Sequence, residues 1–223
     1  MKSVLRITAL VLAAAYAAAA GAQSVPARGG KWEFTLQPQY THGKSFDTGH
    51  GSGGQTDSSL GFGFGVGYNL NNKINIGGEF TWATSSYVAT LASADTPPGP
   101  SATVQGTMNT STFRLNGTWN MLNGDFTPLA QIGIGSTYLN TNIPFGPPQN
   151  TCWWDPWWGY WCGTYQPTRT AYYVSYMAGL GVRWEIDRSI FVRALVNRQW
   201  LQAGGSLGNT WFDQYRVDLG FKF

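Results

Sequence analysis

The stretch Leu60-Gly61-Phe62-Gly63-Phe64-Gly65-Val66-Gly67-Tyr68 puts a large apolar side chain at every even position and glycine at every odd one. A period of two is the spacing of a β-strand whose two faces see different surroundings, because successive side chains point to opposite sides. One face is greasy and the other almost empty. In a soluble sandwich the greasy face would meet a second sheet; in a membrane barrel it meets lipid, while the other lines a polar interior.

The same period continues on both sides of this stretch, and helical periodicity is absent. Strands are expected over 31–42, 58–70, 74–88, 104–120, 126–140, 169–186, 189–203 and 209–223. The connections at 43–57, 89–103 and 141–168 are long, whereas those at 71–73, 121–125 and 187–188 are short; 204–208 is brief and glycine-rich. Long and short loops at alternate ends are the pattern of an up-and-down barrel with tight periplasmic turns.

Parity gives an independent test. With the first strand rising from the periplasm, Trp32, Tyr68, Trp119, Phe126 and Trp184 fall at one end of the greasy face, and Tyr40, Trp82, Tyr138, Tyr172, Trp200 and Trp211 at the other. Two rings of Trp and Tyr suit two membrane–water interfaces, and a soluble core has no use for them. The opposite parity collects Glu33, Thr35, Gln37, Asn75, Glu79, Arg114, Asn116, Thr118, Gln131, Arg183, Glu185, Arg193, Asn197, Arg216 and Asp218. Those charges are expected in the lumen, because an Arg against lipid at mid-membrane costs roughly 2–4 kcal/mol. Leu129 and Phe191 depart by reading inward, and Arg198 and Asp213 by reading outward near the outer rim.

Composition agrees. Charged residues are 11% against a usual quarter, which disfavours an ordinary soluble α/β enzyme, and 15% aromatic residues exclude disorder. No internal apolar run reaches the roughly 18 residues of a membrane-spanning helix. Met1–Arg6 is basic, 7–20 is apolar and Ala20-Gly21-Ala22 is small, so 1–22 reads as a cleaved secretory signal and 23–223 as the barrel domain. Without Lys2 and Arg6, twelve basic residues face eleven acidic ones, and nothing supports nucleic-acid binding.

The chain closes on Tyr215, Val217, Leu219, Phe221 and Phe223 at alternate positions. This ending resembles the signal read by the barrel-assembly machinery. Gly-Phe-Gly-Phe-Gly-Val-Gly-Tyr at 61–68 and Gly-Leu-Gly-Val-Arg-Trp at 179–184 resemble the small outer-membrane β-barrel superfamily, which includes the outer-membrane protein A transmembrane domain, the outer-membrane protein X type and the opacity proteins. The resemblance spans 31–223 and lies in a pattern, so it points to a family and not to one member. It implies an all-β, eight-stranded antiparallel barrel, monomeric, in the Gram-negative outer membrane among lipid and lipopolysaccharide.

Cys152 and Cys162 sit inside the longest loop, and in an exported chain they read as a disulfide; no nearby His completes a metal set. Between them run Trp153, Trp154, Asp155, Pro156, Trp157, Trp158, Gly159, Tyr160 and Trp161. So much aromatic area on an external loop suits a glycan, a lipid headgroup or a partner protein, but also a lid over the barrel mouth. A lipid-modifying enzyme would need a nucleophile with a base, and only His42 and His50, with Ser45 and Asp47 nearby, are available. Neither catalysis nor a cofactor is expected. Eight strands leave an interior that side chains about fill, and ion pairs among Glu79, Arg114, Glu185 and Arg193 would narrow it further, whereas inward glycines would widen it. The expectation is a structural or surface-interacting barrel that presents loop 141–168, with a narrow channel for small or apolar solutes as the alternative.

Overall fold

A computed structural model describes residues 27–49, 52–91, 102–144, 149–157, 159–165, 168–202 and 209–223. The expected signal segment 1–22 lies outside them. The described residues form thirteen strands: β1 Trp32–Leu36, β2 Gln39–Thr41, β3 Lys44–Gly49, β4 Ser52–Thr56, β5 Ser59–Asn69, β6 Ile74–Leu91, β7 Ala102–Asn120, β8 Phe126–Pro144, β9 Gln149–Asp155, β10 Gly159–Tyr165, β11 Thr168–Glu185, β12 Ile190–Gln202 and β13 Asn209–Lys222. β1 and β2 are one strand interrupted at Pro38, which has no N–H to give; both halves keep the same register against β5 and β13. This composite strand, β5, β6, β7, β8, β11, β12 and β13 pair antiparallel in sequence, and β13 returns to β1, so the ring closes with eight members.

The register fixes the geometry. Trp32 faces Tyr68, which faces Ile76, then Gly117, Ile132, Ala178, Arg198 and Asp213 in turn. The His42 amide bonds the Asp213 carbonyl at 2.9 Å. One circuit starting at residue 32 therefore ends at residue 42, a stagger of ten residues. With eight strands, that stagger tilts them by roughly 43°. Each step of the circuit then climbs about 3 Å along the barrel axis, and each residue along a strand about 2.4 Å.

The greasy parity faces outward. Phe62 packs on Trp82 at 5.3 Å between ring centres and Phe64 on Phe80 at 6.0 Å, while Trp32–Tyr68 at 5.1 Å and Tyr138–Tyr172 at 4.8 Å belong to the two aromatic rings. From Trp32 to the level of Trp82 and Trp200 the climb is about 20–23 Å, close to the height of an outer-membrane apolar band. The short turns are set locally. Asn71 Oδ1 accepts the amides of Lys73 and Ile74, both at 2.8 Å, and Asp187 Oδ1 those of Ser189 at 2.6 Å and Ile190 at 2.7 Å. The Ser189 and Ile190 amides hold the Asp187 carboxyl below the usual range.

Two connections expected as loops are hairpins. Within 43–57, β3 pairs with β4, and β4 continues the sheet by pairing with the outer end of β6 from Gly53↔Thr90 to Thr56↔Tyr87. Within 141–168, β9 and β10 form a separate two-stranded sheet. β6, β7 and β8 also run three, two and four residues past their expected outer ends, so a β wall extends beyond the aromatic ring.

Candidate functional site

The interior holds one continuous chain of ion pairs. Arg114 Nε meets Glu79 at 2.9 Å, Glu79 meets Arg216 at 2.9 Å, Arg216 meets Asp218 at 2.8 Å, and Asp218 meets Arg193 at 3.1 Å. Arg193 reaches Glu33 at 3.9 Å, Glu33 meets Arg183 at 2.7 Å, and Arg183 meets Glu185 at 2.7 Å. Glu185 also takes Arg28 at 2.7 Å and Lys222 at 2.6 Å. All ten residues are buried. Alternating signs and multiple hydrogen bonds are what allow such charges to persist away from water.

The expected Glu79–Arg114 pair forms, whereas Glu185 and Arg193 do not pair with each other. In register, Glu185 lies opposite Phe191, and Arg193 lies opposite Asp218, its direct cross-strand partner. Two members carried no functional expectation. Lys222 has the inward parity between Phe221 and Phe223, a signal that parity could have exposed. Arg28 precedes the first strand, where no periodicity exists. It folds into the periplasmic end, where its guanidinium donates to the Asn72, Leu122 and Gly124 carbonyls at 3.2, 3.2 and 2.7 Å, tying two turns to Glu185.

Inward glycines widen the lumen only locally: Gly65, Gly67 and Gly77 line a small cavity of about 20 Å³, while at other positions neighbouring side chains take the space. A Cβ at Gly220 would strike the Phe191 ring, and one at Gly65 would come within 2.8 Å of Gln37 Nε2. Phe191 points inward for a reason: the Arg183 guanidinium lies 3.6 Å from its ring centre. Leu129 is buried as well.

Above the ion pairs, Thr112, Thr137, Gln199 and Gln214 are joined by hydrogen bonds of 2.9, 3.1 and 2.9 Å. Thr112, Gln199 and Gln214 of this set line a cavity of about 120 Å³ whose higher walls include Met108, Leu139, Tyr173, Leu201 and Phe212. The cavity is therefore a cup above the ion pairs, and no described residue of β9 or β10 lines it.

The β9–β10 hairpin is closed by the Cys152–Cys162 disulfide between register partners, with Cα atoms 4.0 Å apart. Trp154 lies opposite Tyr160, and Asn150 is hydrogen-bonded to its partner Thr164 at 2.8 Å. These residues share parity with the cysteines, so they occupy one face. Trp154, Trp157 and Tyr160 are exposed at 74%, 87% and 67%. Gly159 turns the chain with φ of 77°. Trp153 and Trp161 are register partners whose side chains lie outside the described set, as does Trp158 altogether.

On β13, Tyr215, Val217, Leu219, Phe221 and Phe223 face outward, and Phe223 exchanges two backbone hydrogen bonds of 3.0 Å with Trp32 across the closing seam. His42 lines the cup, while His50 and the Asp47 side chain lie outside the described residues. Among the described residues, no three His, Cys, Asp or Glu converge on a metal position.

A closed antiparallel ring with a lipid-facing exterior and a charged interior defines a transmembrane β-barrel of the outer membrane of a Gram-negative cell. The chain belongs to the outer membrane protein beta-barrel domain family, whose model matches residues 7–223. Among solved structures it is similar to neisserial surface protein A at 10% identity and a TM-score of 0.55, covering 85% of this chain and 97% of that one. It is also similar to Ail of Yersinia pestis, solved with the heparin analogue sucrose octasulfate, at 11% identity and a TM-score of 0.50, covering 87% and 99%. Curated proteins give no match.

Proposed function

We propose that this barrel is a surface-interaction protein: a closed, monomeric anchor whose disulfide-bonded hairpin presents Trp154, Trp157 and Tyr160 to an extracellular ligand. The observation that carries the reading is the exposure of these three rings on a hairpin that contributes no described residue to the cup. The ligand chemistry follows from composition. Residues 141–168 hold no Lys, Arg or His and one acidic residue, Asp155, so a polyanion such as the heparin analogue bound by Ail has no electrostatic partner here. Flat indole and phenol faces without counter-charge suit the apolar faces of neutral sugars or a protein patch. No catalytic step is assigned, and the outward aromatic series ending at Phe223 serves the barrel-assembly machinery.

The second reading, a narrow channel for small or apolar solutes, is favoured by the apolar wall of the cup; the ion-pair plug beneath it opposes passage. The test uses refolded protein and the Trp154→Ala, Trp157→Ala, Tyr160→Ala triple variant on a panel of neutral and sulfated glycans. Wild type is expected to retain neutral glycans at least tenfold more tightly than the variant, with heat-modifiable migration unchanged. Equal binding by both would refute the hairpin as the binding element.

A further inference from the structure

On the lipid-facing side of the outer rim, two cations meet on one indole ring. Arg198 and Asp213 are outward-facing register partners, joined by hydrogen bonds of 2.7 and 3.0 Å from Arg198 Nε and Nη2. The same guanidinium lies 4.0 Å from the centre of the Trp211 ring. Lys44, at the start of β3, places its Nζ 3.4 Å from that ring centre and donates to the Trp211 carbonyl at 3.3 Å. Two positive charges thus share one platform and one carboxylate.

Among the side chains described, every other Lys or Arg belongs to the lumen chain or to the periplasmic end, so the basic charge described on the outer exterior is gathered here. Arg198 stands about 18 Å above Trp32 on the circuit of the ring and Asp213 one step higher, at the outer edge of the apolar band. Lys44, two residues beyond His42, lies higher still, so the long Arg198 and Lys44 side chains reach toward the outer-leaflet headgroups. A cross-strand pair alone would account for Arg198 and Asp213, but among the described side chains here it leaves two cations to one carboxylate. Arg198 spends Nε and one hydrogen of Nη2 on Asp213, and Lys44 spends one of three donors on the Trp211 carbonyl, so both retain donors for a shared anion.

We propose that Lys44, Arg198 and Trp211 form a docking site for a phosphate group on an outer-leaflet glycolipid headgroup, the chemistry that lipid A offers. The phosphate completes the charge balance that Asp213 leaves half made, and the site holds the barrel against its lipid shell on the β12–β13 side.

The experiment titrates the refolded, detergent-solubilised full barrel with bisphosphorylated lipid A, with the same lipid enzymatically dephosphorylated, and with inorganic phosphate, each followed by native mass spectrometry. Wild type is expected to bind the phosphorylated lipid at least tenfold more tightly than the dephosphorylated one. Lys44→Gln with Arg198→Gln is expected to lose that preference, Lys44→Arg to keep it, and Asp213→Asn to strengthen it by removing the counter-charge. Lys44 lies outside the ring of eight, so Lys44→Gln alone serves if the double variant fails to give the heat-modifiable folded form. Equal binding of the two lipids, or a preference that survives loss of both cations, overturns the site. Displacement of lipid A by millimolar inorganic phosphate overturns the lipid assignment and makes it a site for free phosphate.

Discussion

Positions 114 and 115 are chain neighbours on β7 that face opposite solvents, and their substitution separates the two faces of the barrel. Leu115 is 58% exposed, with Gly78 and Ile134 as register partners. Its climb above Trp32 is about 14 Å, near the middle of a band about 25 Å tall. Leu115→Arg therefore places a charge where lipid is thickest, at a cost of roughly 2–4 kcal/mol, which is about 30- to 900-fold in the folding equilibrium. Arg114→Leu removes one partner of Glu79, but that carboxylate keeps Asn116 Nδ2 at 2.7 Å and Arg216 Nη1 at 2.9 Å. The two terminal nitrogens of Arg114 have no partner among the described residues, so their removal also relieves a burial cost. The net expectation is a loss under about 1 kcal/mol. Glu79→Leu is different: Arg216 keeps Asp218, but Arg114 loses its one described carboxylate partner. Stripping a buried charge in this way costs about 3–5 kcal/mol. The assay is urea-dependent folding into short-chain lipid vesicles, read by heat-modifiable migration. If Arg114→Leu cost as much as Leu115→Arg, the assignment of faces on β7 would be wrong.

Two further outcomes follow from close contacts at the seam and floor. Gly220→Ala drives a methyl into the Phe191 ring and is expected to destabilise by about 1–3 kcal/mol, with Phe191→Ala in the same chain restoring part of the loss; additive losses would refute the contact. Deleting Phe223 removes both backbone bonds to Trp32, so insertion yield should fall severalfold while Tyr165→Ser in the presented hairpin leaves it unchanged; equal yields would remove the role given to the last strand.

The ring was legible because lipid and lumen impose opposite chemistry on alternate residues. Leu60–Tyr68 shows this most plainly, and Arg114 beside Leu115 shows it at a single step. Parity gives a face but neither height nor neighbour, which is why Glu185 and Arg193, both inward, have other partners in the register-defined structure. The β3–β4 hairpin leaves no sequence signal because Lys44–Gly49 and Ser52–Thr56 lie beyond the membrane, where no solvent difference enforces alternation. An inward glycine marks a missing side chain but not the neighbour that fills its place: Gly65, Gly67 and Gly77 line a small cavity, whereas at Gly220 the occupant comes from the adjacent strand. Arg28 acts through backbone carbonyls of turns more than forty residues away, a relation that only the closed fold creates.

The proposed anchor is shut by its own interior and not by the hairpin it displays. Single-channel conductance across planar bilayers, compared between the wild-type protein and a variant in which residues 149–165 are replaced by a short Gly-Ser linker, tests it directly. Both proteins are expected to insert and show no stable open-channel steps, because the chain of ion pairs from Arg114 to Arg28 remains in each. Discrete conductance steps that appear only when the hairpin is removed would contradict the account and make the tryptophan hairpin the lid of a pore.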